Sequence, residues 1–387
     1  MPQPSAYASQ YCPQCGGALP AGPAESLVCE YCGTRLARQA PEKPLIQGVR
    51  LVPFSYTDRE GTGLECFRML LPAGWQSQGG LQWQPGNPGR PAVLMIRFYN
   101  PAGAEALEFL PAQSFYWTSD PLSQMLKPPG SLYYGNEVRP PMDAPSVLTQ
   151  VVLPRFRNIP GLQAAQPERL PQLPDQMRSL SAAPNTQVQA DGARIRVQYT
   201  LGSTPVEEEI FAMVEATSIG QPGPLGFSGM IFWVADYLFA CRAAKGRLDG
   251  LTDLFQTIIH SFRINPQWYA QMLQISQWMM QNEIQHIHQI GQFSRQWSQM
   301  SNEISDQSMA AYTQRQQVMD RLSTQFSQYM RGVDEYQDPN LGGSVELPSG
   351  YQQAWSNPLG EYWLTDDPNF DPNRDASGTW TPLERKP

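Results

Sequence analysis

The middle of the chain, from residue 46 to residue 265, alternates short apolar runs with turn-forming residues. Seven of these runs are rich in β-branched or aromatic side chains and are bounded by Gly, Pro or Asp, which is typical of β-strands. The predicted strands lie at 49–56, 64–71, 92–99, 105–117, 193–201, 206–217 and 230–243. The pattern therefore predicts a sheet-rich body.

Two segments of this region have helical periodicity instead. Residues 144–153 carry Pro145 in the first turn, where a helix tolerates proline. Their apolar face comprises Val147, Leu148, Val151 and Val152. Residues 247–262 repeat apolar side chains in steps of three and four, at Leu248, Leu251, Leu254, Phe255, Ile258, Ile259 and Phe262. We expect both helices to pack on the sheet, whereas the Pro- and Gln-rich segment 160–186 is predicted to be a loop.

Residues 41–264 resemble the Mog1/PsbP-like α/β fold. The resemblance rests on the strand 66–71 running into Pro72 and Trp75, and on the closing helix that ends at Phe262. It implies an antiparallel sheet packed by helices, which serves as a binding or assembly module and brings no catalytic residues. Trp75 is then expected to be a core anchor rather than a platform for a ligand.

A long Gln-rich amphipathic segment follows at 265–335. Asn265 and Pro266 form a good helix start, and Gly291 is the one glycine before Arg331. Its apolar side chains include the predicted interaction residues Trp297, Met300, Ile304, Met319, Leu322, Phe326 and Tyr329. The phase of this stripe slips by one residue between Ile304 and Tyr312, which a strict coiled coil does not allow. Three alternatives stay open: a hairpin folded on its own domain, oligomerisation through the helix, or a membrane-surface helix, which the scarcity of basic residues disfavours.

The last segment, 336–387, predicts a small aromatic-rich β tail. Short strands are predicted within 345–351 and 352–365. Residues Ser356 to Gly360 are predicted to form a turn between strands. Four aromatic side chains are predicted to mediate protein contacts: Tyr351, Trp355, Tyr362 and Trp363. The segment resembles the hairpin of a WW domain, which implies a proline-binding groove. The alternative is an aromatic clasp that docks on its own or a neighbouring subunit.

Composition narrows the class of protein. Hydrophobic residues make up 41% of the 387 residues, charged residues only 16%, and the net charge is −8. An acidic chain lacks the basic footprint of a general nucleic-acid binder. No signal peptide is evident, and the most apolar run, 230–244, is too short to span a membrane and contains Asp236. Cys66 and Cys241 lie in apolar surroundings and are predicted to be buried thiols, which fits a cytoplasmic location.

Four further cysteines form two knuckles, Cys12-Pro-Gln-Cys15-Gly and Cys29-Glu-Tyr-Cys32-Gly. Two disulfides are the alternative, but this spacing is the one found at zinc sites. Residues 11–36 resemble a zinc ribbon, and the domain is assigned to 1–40. The resemblance implies that Cys12, Cys15, Cys29 and Cys32 bind one structural Zn²⁺. With four protein ligands no position remains for a reacting water.

No catalytic motif emerges from the sequence. Phosphate loops, HExxH and Gly-x-Ser-x-Gly elbows are missing, and the chain has only three histidines. The acidic run 207–209 is predicted to lie on a water-facing sheet edge. We therefore expect an α+β, zinc-stabilised cytoplasmic scaffold that self-associates or docks proteins, and not an enzyme. The alternatives are a zinc-ribbon adaptor for nucleic acid or transcription machinery, and an enzyme with a pocket around 207–209 or Asp236.

Overall fold

A computed structural model describes residues 5–7, 26–28 and 35–38 and, in the remainder of the chain, residues 48–170, 186–223, 226–281, 306–329, 333–375 and 378–386. The chain divides into two compact units, Met1–Ile46 and Gln47–Pro387. Both α-helices and mostly antiparallel strands are present, which is compatible with the α+β class. Within the described ranges no helix combines the length and the apolar character needed to cross a membrane.

The first unit contains a small sheet. Its strands are β1 (Ser5–Tyr7), β2 (Ser26–Val28) and β3 (Arg35–Arg38), in the order β1-β3-β2. Strand β2 pairs antiparallel with β3, with Val28 opposite Arg35, and β1 pairs parallel with β3. The connection between the paired residues Val28 and Arg35 therefore carries the second cysteine knuckle.

The second unit holds the other strands. In the first half of the unit these are β4 (Gly48–Thr57), β5 (Glu65–Pro72), β6 (Gln76–Trp83), β7 (Ala92–Tyr99), β8 (Ala106–Phe109), β9 (Gln113–Thr118), β10 (Leu132–Tyr133), β11 (Asn136–Val138), β12 (Gln163–Ala164) and β13 (Glu168–Arg169). The later strands are β14 (Thr186–Leu201), β15 (Thr204–Gly223), β16 (Gly226–Ala244), β17 (Arg263–Ile264), β18 (Val333–Asp338), β19 (Gly343–Pro348), β20 (Gln353–Ser356), β21 (Tyr362–Thr365), β22 (Thr381–Pro382) and β23 (Glu384–Arg385). Each of the seven predicted strands is present, although the predicted strand 105–117 is divided into β8 and β9.

Helices of this unit lie between the strands. They are α1 (Pro121–Leu126), α2 (Ala144–Val147), α3 (Leu153–Phe156), α4 (Thr252–His260), α5 (Pro266–Gln281), α6 (Asp306–Tyr329) and α7 (Pro372–Asp375). A π-helical turn, Leu148–Val152, joins α2 directly to α3, and a 3₁₀ turn, Asp249–Leu251, precedes α4.

Three long antiparallel strands form the centre of the unit. β14, β15 and β16 have 16, 20 and 19 residues and lie in an eleven-stranded sheet. One face of this sheet is covered by the helical segment from α2 to α3. Asp143 caps it by accepting a hydrogen bond from Ser146 N at 2.9 Å. The predicted apolar face of this segment is confirmed, since Val147, Leu148, Val151 and Val152 are all fully buried.

A second sheet joins the two ends of the unit. Its six strands have the order β17-β5-β4-β21-β20-β22, and β4 pairs with β21 so that Gly48 lies opposite Thr365. The compact unit Gln47–Pro387 contains the predicted segments 265–335 and 336–387 and all but the first six residues of the predicted segment 41–264. The hairpin of the aromatic tail is a part of this sheet. A third, three-stranded sheet has the order β19-β18-β23.

The helices α4, α5 and α6 pack on the same unit. The predicted stripe of α4 is confirmed, because Phe255, Ile258 and Ile259 are buried. α6 contacts both α4 and α5, and Ser308, Gln316 and Met319 on α6 are buried. Of the three alternatives for the long helical segment, these contacts match the one in which it folds back on its own domain.

Candidate functional site

A break in strand pairing lies beside a cavity of the second unit. Proline lacks the N–H that a strand needs, and the strand pairing along β16 is interrupted at Pro111, between Phe109 at the end of β8 and Gln113 at the start of β9. Opposite the break, β16 is bulged against β15, with a register shift between Phe211 and Met213. Bulges re-aim side chains and occur frequently next to functional sites.

Tyr237 lies in the bulge and has an unusual backbone conformation. Its φ angle is +49°, in the left-handed region that tyrosine rarely adopts. The carboxylate of Asp236 accepts a hydrogen bond at 2.8 Å from the backbone N of Tyr237, and this bond stabilises the conformation. A strained backbone at such a point is characteristic of binding and active sites.

Two arginines converge on Asp236 from different parts of the chain. Arg90, from the loop between β6 and β7, donates from Nη1 to Asp236 Oδ2 at 2.9 Å. Arg315, from α6, donates from its Nη1 to the same oxygen at 3.1 Å. The guanidinium of Arg315 also lies 5.0 Å from the centre of the Tyr237 ring, at a distance that allows a cation–π contact.

These residues line a cavity of about 230 Å³. Its walls are otherwise largely apolar and come from β5, β6, β7, β8, β16, α5 and α6. The apolar lining residues include Phe67, Leu81, Phe109, Phe239, Met272 and Met319. The site therefore combines a small charged cluster with an apolar chamber, as binding pockets for small molecules usually do.

The surroundings fix the charge of each group. Burial raises the pKa of Asp236, but the charges of Arg315 and Arg90 outweigh it, so this pKa lies well below its usual value. Burial and the neighbouring charge of Asp236 raise the pKa of Glu215, which lies close to both arginines. Burial likewise raises the pKa of Tyr237 and of the Cys66 thiol.

These shifts favour recognition over chemical catalysis. Asp236 is ionised and neutralised by arginine, so it is a poor general base at neutral pH. A thiol with a raised pKa is a poor nucleophile, which argues against a reactive Cys66. Tyr237 stays protonated. A pocket that contains Asp236, which the enzyme hypothesis requires, is thus present.

The acidic run 207–209 does not lie on a water-facing edge, so that prediction is wrong. Glu207, Glu208 and Glu209 are all buried, and β15 is not an edge strand, since it is hydrogen-bonded to both β14 and β16. Each carboxylate has its own partners. Glu207 accepts from two backbone N–H groups, Gly246 and Leu248, at 2.8 and 3.0 Å.

The other two glutamates pair with arginine. Glu208 accepts two hydrogen bonds from Arg157 at 2.7 and 2.8 Å, and the hydroxyl of Tyr199 donates to it at 3.1 Å. Glu209 accepts from Arg194 at 3.0 Å. These contacts give each of the three buried carboxylates hydrogen-bond partners, as buried polar groups require.

No protein-family model and no curated protein sequence matches this chain.

A second notable surface lies at the outer end of the β15–β16 hairpin. The twenty residues 216–235 contain no charged side chain, and we call the strand residues 216–223 and 226–235 the hairpin arm. Ile219 and Met230 pair across its two strands and are 44% and 39% exposed. Since cross-strand partners share a face, they form one apolar patch.

More exposed apolar side chains lie in the segment that follows β9. Helix α1 is tied to the end of β9 by Gln124, which donates to Thr118 O at 2.7 Å. Thr118 is itself the cross-strand partner of Met230. Four residues of this segment are strongly exposed: Met125, Leu126, Leu132 and Tyr134. Concentrated exposed apolar surface of this kind marks interaction sites.

The residues predicted to mediate interactions are dispersed. Trp297, Met300 and Ile304 lie outside the described residues, while Leu322, Phe326 and Tyr329 belong to α6. Met319 is buried and lines the cavity. In the tail, Tyr362 is buried and donates to Asp338 Oδ2 at 2.7 Å, while Tyr351 and Trp355 are half-buried.

The tail aromatics are packed within their own unit. Trp363 stacks on Phe370 with ring centres 5.0 Å apart and meets Trp380 edge-on at 6.1 Å. Arg50 of β4 lies 6.0 Å from both tryptophan rings. Trp75, predicted to be a core anchor, is half-buried and contacts Phe255 edge-on. These contacts match a clasp that docks on its own domain.

The predicted zinc ligands Cys12, Cys15, Cys29 and Cys32 lie outside the described residues. In the described ranges no group of His, Cys, Asp and Glu side chains has a metal-binding arrangement. The zinc site stays a prediction. Cys66 and Cys241 are buried free thiols, as predicted.

Arg90 and Arg315 are functional candidates that sequence reasoning missed. They are separated by more than two hundred residues, and neither belongs to a recognisable motif. One signal was present: Asp236 is the single charge in the apolar run 230–241. A buried carboxylate in such a run requires a cationic partner, although the sequence does not say which one.

Proposed function

We propose that this chain is a non-catalytic scaffold protein that self-associates through its hairpin arm. The observation that carries the proposal is the exposure of Ile219 and Met230 on one face of the hairpin arm, within the stretch 216–235 that has no charged residue. A cytoplasmic location and a zinc-bound ribbon belong to the same proposal.

Charge argues for a second copy of the chain as the occupant of this surface. In a two-fold dimer each patch meets itself, so charges near the axis oppose identical charges. The net charge of this chain is −8, and like charges in direct opposition weaken association. An uncharged apolar face is where two such copies meet without repulsion.

Substitution of Met230 by glutamate tests the proposal. We expect the intact chain to be a dimer at micromolar concentration in sedimentation velocity or light scattering, and Met230→Glu to be monomeric, because two carboxylates would then face each other. Leu359→Glu is the matched control, since Leu359 is 75% exposed on the tail, away from the arm in sequence. It should remain dimeric.

Three outcomes contradict the proposal. A monomeric wild-type chain removes self-association altogether. Equal dissociation by Leu359→Glu means that the effect is not specific to the arm. Dissociation by Trp297→Glu with an unchanged Met230→Glu dimer assigns the interface to the long helical segment instead.

The zinc part of the proposal has a separate test. We expect elemental analysis to find about one zinc ion per chain, because four cysteine thiolates complete a tetrahedral structural site. Cys12→Ser should lose most of this zinc. Cys241→Ser should retain it, because Cys241 is a buried thiol whose pKa burial raises, which disfavours the thiolate that zinc needs. Two disulfides in the purified protein, with no zinc, would contradict the assignment.

A further inference from the structure

The arginines of the cavity have more hydrogen-bonding capacity than Asp236 uses. A guanidinium offers several N–H donors in a planar fork that matches a carboxylate. In the described part of the chain, the side chains of Arg90 and Arg315 each donate one hydrogen bond, and both go to Asp236 Oδ2. Both side chains also line the cavity. Their remaining donors are thus available to a ligand.

The charge balance of the cavity favours a monoanion. Two arginines face one carboxylate, Asp236, so the charged residues that line the cavity have one positive charge in excess. Burial raises the pKa of Glu215, so its charged form is disfavoured there. A dianion such as phosphate would exceed this single positive charge and would place its uncompensated charge in an apolar chamber, which is costly.

The size of the cavity limits the body of the ligand. An engineered apolar cavity of about 150 Å³ binds benzene, and this one has about 230 Å³. Pockets for drug-sized molecules are larger, about 300–1,000 Å³. The fitting body is therefore one ring or a short alkyl chain. Apolar side chains such as Leu81, Phe109 and Met272 offer it a matching surface.

We propose that this cavity binds a small carboxylate with an apolar body, held at its carboxylate by Arg90 and Arg315. The bulge at Tyr237 and the two arginines from distant segments then together form the recognition site for this ligand. The assignment goes beyond self-association and is independent of it, because the cavity and the hairpin arm are different surfaces.

Binding of matched probes to the wild-type chain tests the proposal directly. Benzoate and hexanoate should bind in calorimetric titrations at pH 7. Their amides, benzamide and hexanamide, should bind at least about tenfold more weakly, because they lack the charge that the arginines recognise. Inorganic phosphate should not compete with benzoate. This comparison needs no variant, so folding defects cannot confuse it.

Variants then locate the site. Arg315→Gln should weaken benzoate binding by about tenfold or more, since a charged donor is lost. Arg50→Gln is the matched control, because Arg50 is also paired with a carboxylate, Glu361, but does not line the cavity. It should bind benzoate as the wild type does. Circular dichroism verifies that both variants fold.

The proposal is overturned by any of three results. One is no binding of benzoate or hexanoate up to about 10 mM. Another is equal affinity for carboxylate and amide. A third is unchanged benzoate binding by a folded Arg315→Gln protein. Competition by phosphate would assign the site to general anions instead.

The protonation of Glu215 gives an additional readout. The charged and titratable groups around it are Arg90, Arg315, Asp236 and Tyr237. Benzenesulfonate keeps its charge at low pH and serves as the probe. Its affinity should increase as pH falls and Glu215 becomes neutral. Glu215→Gln, which removes the titrating carboxylate, should lose this pH dependence.

Discussion

Replacing Asp58 by asparagine is expected to lower the free energy of unfolding by about 3 kcal/mol. Asp58 is only 2% exposed, and its carboxylate accepts five hydrogen bonds. Oδ1 accepts from Gly61 N and the Trp83 indole, both at 3.0 Å. Oδ2 accepts from Thr62 N, from Thr62 Oγ1 and, at 3.1 Å, from the Trp268 indole.

Asparagine has the same shape but cannot accept on both sides. In either orientation its amide nitrogen meets at least two N–H donors, which leaves buried donors unsatisfied. The Trp83 indole packs tightly against Gly61, since a Cβ added to Gly61 would lie 2.2 Å from the indole nitrogen. These two donors therefore have little room to move away from an amide nitrogen. The measurement is urea denaturation of the intact chain. Asp367→Asn is the control, since Asp367 is exposed and its hydrogen bond to Asn369 N can be kept by an amide. Equal midpoints for the two variants would refute this account.

Replacing Arg157 by methionine is expected to cost about 3–5 kcal/mol of folding stability. The Glu208 side chain is 2% exposed, and Arg157 is its charged partner. Without Arg157 the carboxylate keeps the hydroxyl of Tyr199 but loses two charged hydrogen bonds. A buried carboxylate that loses its hydrogen-bonded cation is strongly destabilised. Arg157 also pairs with Glu108, which is more exposed and can be hydrated.

A second substitution separates loss of charge from loss of packing. Arg157→Met combined with Glu208→Met should recover most of the stability, because an apolar pair of similar volume often replaces a buried ion pair at little cost. Arg374→Met is the surface control, and it should change stability by less than about 0.5 kcal/mol, since Arg374 is 79% exposed. A double variant as unstable as Arg157→Met alone would contradict the electrostatic explanation.

Periodic patterns predicted the elements of this fold well. The stripe of α4 and the apolar face of α2 to α3 were identified because burial imposes a three- and four-residue repeat on helices. The sequence has no comparable repeat that indicates which strands pair with each other. Nothing local in β21 indicates that Trp363 lies opposite Arg50 of β4, so the tail was treated as a separate segment.

Charged groups of the interior were the hardest to predict. The run 207–209 was predicted to face solvent because acidic side chains usually lie on the protein surface. Its burial depends on Arg157, Arg194 and the backbone of Gly246, which come from distant parts of the chain. The same holds for Asp236, whose partners Arg90 and Arg315 meet only after folding. A sequence identifies a buried charge more easily than it identifies the partner.

The pairing of β4 with β21 has a consequence for how the protein is made. Gly48 lies opposite Thr365, so the strand that opens the second unit is completed by one near its end. During synthesis β4 and β5 emerge from the ribosome long before β20 and β21 do. Contacts of such long sequence separation slow folding, and an unpaired strand edge is prone to misassociate in the interval. We therefore expect the nascent chain to depend on chaperones until residues 353–365 have left the ribosome.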